Sequence, residues 1–291
     1  MVHIVNMVHE KPTLRATLQS IWSLTGPDEF EVVAPTEVGV AYGTRTGRGV
    51  KPLADVYMPI SPSTSRPSVV LIHGGGFLVG HRKMKPMRML AARLVGAGFA
   101  VCSLDYRMVF RGGRLAEATD DVVNGLSWWS GQAERYGLDL DRIAVLGLSA
   151  GGALSIIAGG HEDAPPIART VSVFGLYDFT ALTGGLIGRL PKLLTGSSDP
   201  EVWRVASPMN AVPSSSPVLM LHGSADAVVG IGQAEALAQV RRRAGLPTEF
   251  HRYEGAPHAF LNRPGPIADR ALEHIFDFLR PLQAERRGVA A

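Results

Sequence analysis

Gly147-Leu-Ser149-Ala-Gly151 sets a serine between two glycines, where an apolar run, Ile143 to Leu148, gives way to the small residues Ala150 to Ala158. A serine hydroxyl presented for attack sits on a sharp turn from strand to helix. Side chains two residues to either side would collide in that turn, and glycine removes the collision. At average glycine usage the pattern arises by chance in about one chain in ten of this length. The flanking runs must therefore carry the reading, and they read as strand, turn and helix in that order.

A nucleophilic serine needs a base, and the base needs an acid to orient it. His258 in Gly255-Ala-Pro-His-Ala-Phe260 follows the last apolar run, and Asp226 in His222-Gly-Ser-Ala-Asp226 follows the one before. Both fall at the carboxyl ends of predicted strands, where open α/β sheets place their sites. The chain order Ser149, Asp226, His258 is the one this kind of fold requires. His73-Gly-Gly-Gly-Phe77 directly follows another such run; its glycines let backbone N–H groups approach a developing oxyanion closely. His73 reads as a hydrogen-bonded organiser of that loop, His222 as structural, and Asp105 as a loop tie that pairs with an arginine. The Leu-rich stretch Leu182 to Leu194, broken by Gly and Pro, cannot form one long helix. Leu186 and Leu190 in it, with Phe77, are the candidate substrate contacts.

These residues need a frame. Six β-branched or apolar runs recur: Val69 to His73, Phe99 to Leu104, Ile143 to Leu148, Thr170 to Phe174, Pro217 to Leu221 and Thr248 to Tyr253. Most are continuous rather than alternating, as in strands buried on both faces. Helical patterns lie between them, at Pro86 to Val95, Leu115 to Tyr136, Gln233 to Arg243 and Ala268 to Leu282. This alternation predicts a mainly parallel central sheet flanked by helices. Glu29 to Tyr42 is expected to add antiparallel edge strands. Two segments fall outside the alternation. Pro12 to Leu24 carries Leu14, Leu18, Ile21 and Trp22 at helical spacing, and Asp178 to Ser207 is long for a connection and so expected to be a lid or insertion. The expectation is one domain over residues 1–291, with 1–28 and 178–207 as cap or lid segments.

Composition excludes several function classes. Across 291 residues, 46% are hydrophobic and 19% charged, enough for a sizeable core. The net charge is +3, but the arginines are dispersed and no basic tract carries interleaved aromatics, so nucleic-acid binding is not expected. No His-x-x-x-His pattern or carboxylate cluster suggests a metal, and no dinucleotide fingerprint is present, so neither metal nor cofactor is expected. Ile143 to Gly160 is uncharged and about as long as a membrane span, but its glycines break it into strand, turn and helix. The one cysteine, Cys102, lies in an apolar run and reads as a buried, inert thiol. With no disulfide possible and no secretory pattern in Met1 to Arg15, the expected location is cytoplasmic.

His73-Gly-Gly-Gly76 together with Gly147-Leu-Ser-Ala-Gly-Gly152 resembles the hormone-sensitive-lipase-like esterases, and the branch of carbohydrate-acetyl and feruloyl esterases beside them. The resemblance runs from about Ala54 to Leu282 and takes in Asp55-Val-Tyr-Met-Pro59, Asp105-Tyr-Arg107, Ser207-Pro208, His222-Gly-Ser-Ala-Asp226 and Gly255-Ala-Pro-His258. It implies an α/β-hydrolase fold and a serine carboxylesterase working without a cofactor on a small-molecule ester. It implies Ser149 as nucleophile, Asp226 as acid, His258 as base, and the N–H groups of Gly75, Gly76 and Ala150 as the oxyanion hole. Caps at the N-terminus and after the sixth core strand are usual in that family and match the two odd segments. Many relatives carry an acidic residue just before the nucleophile; here it is Leu148. Burial contributes about 0.8 kcal/mol per CH₂ of an acyl tail, but it is the resemblance that implies chains of about two to six carbons. Cleavage of an amide, as in arylformamidase-like or peptidase relatives, is the alternative; ligand binding without catalysis and a scaffold role remain further ones. A homodimer is left open.

Overall fold

Strands buried on both faces must alternate their side chains between two helical layers, and the apolar runs do so in the computed structural model, which describes residues 30–43, 52–185 and 187–283. In chain order the elements are β1 Glu37–Ala41, β2 Leu53–Tyr57, β3 Arg66–Ile72, α1 Lys85–Gly96, β4 Ala100–Leu104, α2 Leu115–Gly131, α3 Ala133–Tyr136, β5 Leu138–Leu148, α4 Ala150–Gly159, β6 Arg169–Val173, α5 Leu190–Thr195, α6 Pro200–Ala206, β7 Val218–Gly223, α7 Gly232–Arg243, β8 Thr248–Tyr253 and α8 Pro266–Leu279. Among the described residues they form one sheet of eight strands, in the order β1-β2-β4-β3-β5-β6-β7-β8. β2 runs antiparallel to both neighbours, and every pairing from β4 to β8 is parallel.

Val70 and Ile72 of β3 pack with α2 and α4 through Val122, Leu126, Trp129 and Leu154. Val69 and Leu71 of the same strand face the other way, onto Leu90 and Leu94 of α1 and Ile275 of α8. Each such side chain contributes about 1.5 to 3 kcal/mol when fully buried. This two-sided burial is why the runs show no alternation of polar and apolar residues. Cys102 lies in the first of these layers, and burial pushes its thiol up, which leaves it inert.

The sequence expectation differs from the structure in a few places. Leu115 to Tyr136 is two helices, not one, broken at Gln132, just after Gly131; glycine costs about 1 kcal/mol in a helix interior, and the break lets Tyr136 stack on Trp129 at 5.3 Å between ring centres. Glu37–Ala41 is the only strand of the Glu29 to Tyr42 run within the described residues, and its partner is β2, whose short LADVY run holds a buried aspartate and does not read as a strand. α8 begins at Pro266, which suits a first helical turn, and gives way at Arg280 to a 3₁₀ turn through Pro281. Pro12 to Leu24 lies outside the described residues. Among the described residues no helix is long and apolar enough to cross a membrane.

Candidate active site

The parallel register sets Ile72 beside Gly147 and Leu148 beside Val173, so β3, β5 and β6 end level with one another. Ser149 follows at φ 54° and ψ −114°, and α4 starts at the next residue. The two flanking glycines are forced by backbone. A Cβ on Gly147 would stand 2.0 Å from the carbonyl oxygen of Gly151, and one on Gly151 would stand 2.1 Å from that of Ile72. A methyl group on Gly147 would force the turn open, and one on Gly151 would drive it off β3.

β7 and β8 bring in the rest. His258 Nε2 lies 3.0 Å from Ser149 Oγ, and His258 Nδ1 lies 2.7 Å from Asp226 Oδ2. An ionised carboxylate only accepts, so Nδ1 donates to it and Nε2 is left to accept from the hydroxyl. Three side chains from positions 149, 226 and 258 thus form one continuous hydrogen-bonded line. Asp226 Oδ1 accepts from the backbone N–H groups of Val228 and Val229 at 2.9 and 2.8 Å, and His222 Nε2 lies 3.1 Å from Oδ2. Burial pushes the Asp226 carboxyl up, but the facing charge of His258 and hydrogen bonds from His222 and His258 outweigh it and hold the group well below the usual carboxylate range. The phenyl ring of Phe174 meets the His258 ring edge-on at 5.0 Å. The Val228 and Val229 amides and Phe174 carry no signal in residue type or spacing and are missed from sequence; His222 has one, its spacing four residues ahead of Asp226.

The loop after β3 lies against Ser149: a Cβ on Gly74 would come within 3.2 Å of that of Ser149. Gly75 takes φ 115°, and a side chain there would also strike Val79. Gly75 and Gly76 line the cavity beside Ser149, and Ala150 opens α4, where the first amides of a helix have no intrahelical acceptor. His73 is buried behind this loop. Its Nδ1 bonds the Gly74 carbonyl at 2.7 Å, its ring stacks on Tyr106 at 4.3 Å, and burial lowers its pKa to about 4. Asp105 does pair with an arginine. Arg82 bonds it through side chain and backbone, and reaches Asp55 Oδ1 at 2.7 Å as well. Asp105 is thereby tied to the loop and takes no part in the Ser149 line.

The half-open cavity in front of Ser149 has a volume of about 260 Å³. Leu78, Phe110, Leu148, Leu176, Ile187 and Leu190 make its apolar wall. Of the three candidate substrate contacts, Leu190 stands on that wall. Leu186 lies outside the described residues. Phe77 is a correction: its ring is 1% exposed and points into the core, edge-on to Tyr106. Positive φ at Gly75, Gly76 and Phe77 turns the chain over there, so Leu78 and Val79 reach the cavity instead. The insertion after β6 supplies Ile187 and Leu190 to that wall. Among the described residues no group of three or more His, Cys, Asp or Glu side chains is placed to hold a metal ion.

Comparison with known proteins agrees with this architecture. Esterase LipC of Mycobacterium tuberculosis is 30% identical over 255 residues, covering 80% of this chain and 62% of LipC. A probable isoprenylcysteine alpha-carbonyl methylesterase of Oryza sativa is 23% identical over 261 residues, again 80% of this chain and 62% of the relative. The chain thus spans under two thirds of the length of either. Among solved structures, a truncated carbohydrate esterase from gut microbiota superposes with a TM-score of 0.75 at 21% identity, over 90% of this chain and all of that one. Esterase 2 of Thermogutta terrifontis, bound to propionate, gives 0.72 at 23% identity, over 84% and 94%. These two show the fold, that of the α/β-hydrolases. The BD-FAE family model matches residues 54–240, from β2 through the Ser149 turn into α7, and the chain belongs to the BD-FAE family.

Proposed function

We propose that the protein is a serine carboxylesterase that hydrolyses short-chain acyl esters through an acyl-enzyme. The observation that carries this reading is the unbroken line from Ser149 Oγ through His258 to Asp226, at 3.0 and 2.7 Å. Ser149 Oγ attacks the ester carbonyl carbon while its proton passes to His258 Nε2. Asp226 holds the imidazole in the tautomer that can accept that proton and then stabilises the imidazolium. The amides of Gly75, Gly76 and Ala150 take the oxyanion. The C–O bond to the alcohol breaks as His258 returns the proton to the leaving oxygen. Water, activated by the same imidazole, then releases the acid and restores Ser149.

Two features favour a short acyl tail. The cavity is small, at about 260 Å³, and its wall is apolar on both the Leu78 side and the Ile187 side. LipC is named an esterase, and the Thermogutta enzyme's propionate is a short acid. Amide cleavage would use the same line of residues, so the test must separate substrates as well as residues.

The test is a panel of p-nitrophenyl esters graded in acyl length, run beside matching anilides. Esters of about two to six carbons should turn over best, with kcat/KM falling beyond about eight as the tail outgrows the site. Ser149→Ala should lower kcat by about five to six orders of magnitude. A folded Ser149→Ala protein keeping more than about a hundredth of wild-type activity would overturn the nucleophile, and anilides cleaved faster than esters would overturn the substrate class.

A further inference from the structure

Asp226 takes hydrogen bonds from two imidazoles, and the reaction above uses only one. We propose that His222 is a positioning residue that fixes the Asp226 carboxylate and, through it, the ring of His258. His222 is the penultimate residue of β7 and is fully buried. Its Nε2 stands 3.1 Å from Asp226 Oδ2 and 2.9 Å from the carbonyl oxygen of Val229. Both are acceptors, so Nε2 carries the ring proton and shares it between the Val229 carbonyl, the shorter contact, and Asp226 Oδ2. Nδ1 is then a bare acceptor, and it has no hydrogen-bond partner. A buried acceptor left unmatched is a cost that an apolar residue would avoid, and the preceding positions of β7 are all apolar: Val218, Leu219, Met220 and Leu221. The imidazole is present for its one N–H.

That N–H has a mechanical effect. Asp226 Oδ1 is held by two backbone amides two and three residues onward. Those bonds pin one oxygen and leave the carboxylate plane free to swing about it. The oxygen that faces His258 is Oδ2, and His222 holds that oxygen in place. With Oδ2 fixed, His258 Nδ1–H is aimed, and Nε2 stays at 3.0 Å from Ser149 Oγ. His222 touches neither substrate nor the reacting atoms. It acts at the far end of the line.

The proposal rests on Asp226 being the acid of the esterase reaction, and the experiment separates the two. His222→Phe keeps a flat ring without the N–H; His222→Gln puts a side-chain amide N–H where Nε2 stands. Both are compared with wild type on p-nitrophenyl butyrate, with kcat normalised to the sites labelled by a fluorophosphonate, and again in an Asp226→Asn background. His222→Phe should lower kcat about 10- to 100-fold, the scale of a small misplacement of a catalytic group, with KM within about twofold of wild type. His222→Gln should restore most of the loss. In the Asp226→Asn background His222→Phe should cost nothing further, because groups acting through one another are not additive. If the Phe variant does not fold, His222→Asn replaces it, since its shorter amide falls short of Oδ2 and should show the same loss. Wild-type kcat in His222→Phe overturns the proposal. So does a loss that Gln does not restore and that adds in full to Asp226→Asn, which marks plain packing. Wild-type kcat in Asp226→Asn alone overturns the acid instead.

Discussion

Ser149 holds φ 54° and ψ −114°, a region nearly reserved for glycine, and a side chain there costs about 1 to 3 kcal/mol. The strain is tolerated because the turn lifts Oγ out of the sheet edge toward His258. Ser149→Gly should therefore abolish ester turnover and at the same time raise the unfolding free energy by about 1 kcal/mol. Urea denaturation beside an activity assay reads both, and a Gly variant less stable than wild type would show that the turn is not strained. That Ser149, Asp226 and His258 meet is legible in the sequence, because each is a reactive residue type just past the end of an apolar run. Phe77 was not. Side-chain direction in that loop depends on three successive positive φ values, and no periodicity in the sequence records them. The Val228 and Val229 amides were equally hidden, since backbone groups contribute whatever the residue type.

Among the elements, the segment after β6 changes character along its length. Gly188 and Pro191 break it, as expected, into a 3₁₀ turn at Ile187–Arg189 and the short α5, which ends at Gly196 in a left-handed conformation. Leu190 is 2% exposed, so it packs and lines the cavity at once. Leu190→Ala should cost about 2 to 5 kcal/mol and open room at the acyl end. The chain-length profile should then extend to longer esters while acetate is cleaved as before. An unchanged profile with the same loss of stability would make Leu190 core packing only. The central strands and α1, α4, α7 and α8 were readable because long continuous apolar runs and helical periodicity survive burial. β2 was not, because its buried Asp55 interrupts the pattern; that carboxylate bonds Arg82 and the Gly39 amide. The α2–α3 break was missed because the apolar spacing continues across Gly131.

For the molecule as a whole, the buried His73 couples folding to acidity. Its imidazole has a pKa of about 4 in the fold, against about 6.5 in an unfolded chain. Below about 6.5 the unfolded chain binds a proton that the folded protein refuses until about pH 4, so stability falls as pH drops through that window, by about 3 kcal/mol at its lower end. Urea midpoints at a series of pH values should fall less steeply for His73→Phe, which keeps a ring against Tyr106 but cannot titrate; equal slopes would clear His73 of this role. The sheet order has a consequence of another kind. Ser149 follows β5, deep in the sheet, whereas His258 follows β8, which among the described residues is the outermost strand, only partly buried and paired along one side. Edge elements open locally at lower free energy than the centre. On slow heating, exchange of the β8 amides and loss of ester turnover should therefore set in together, several degrees before the far-UV signal of the central strands collapses: His258 would part from Ser149 while most of the sheet is still intact.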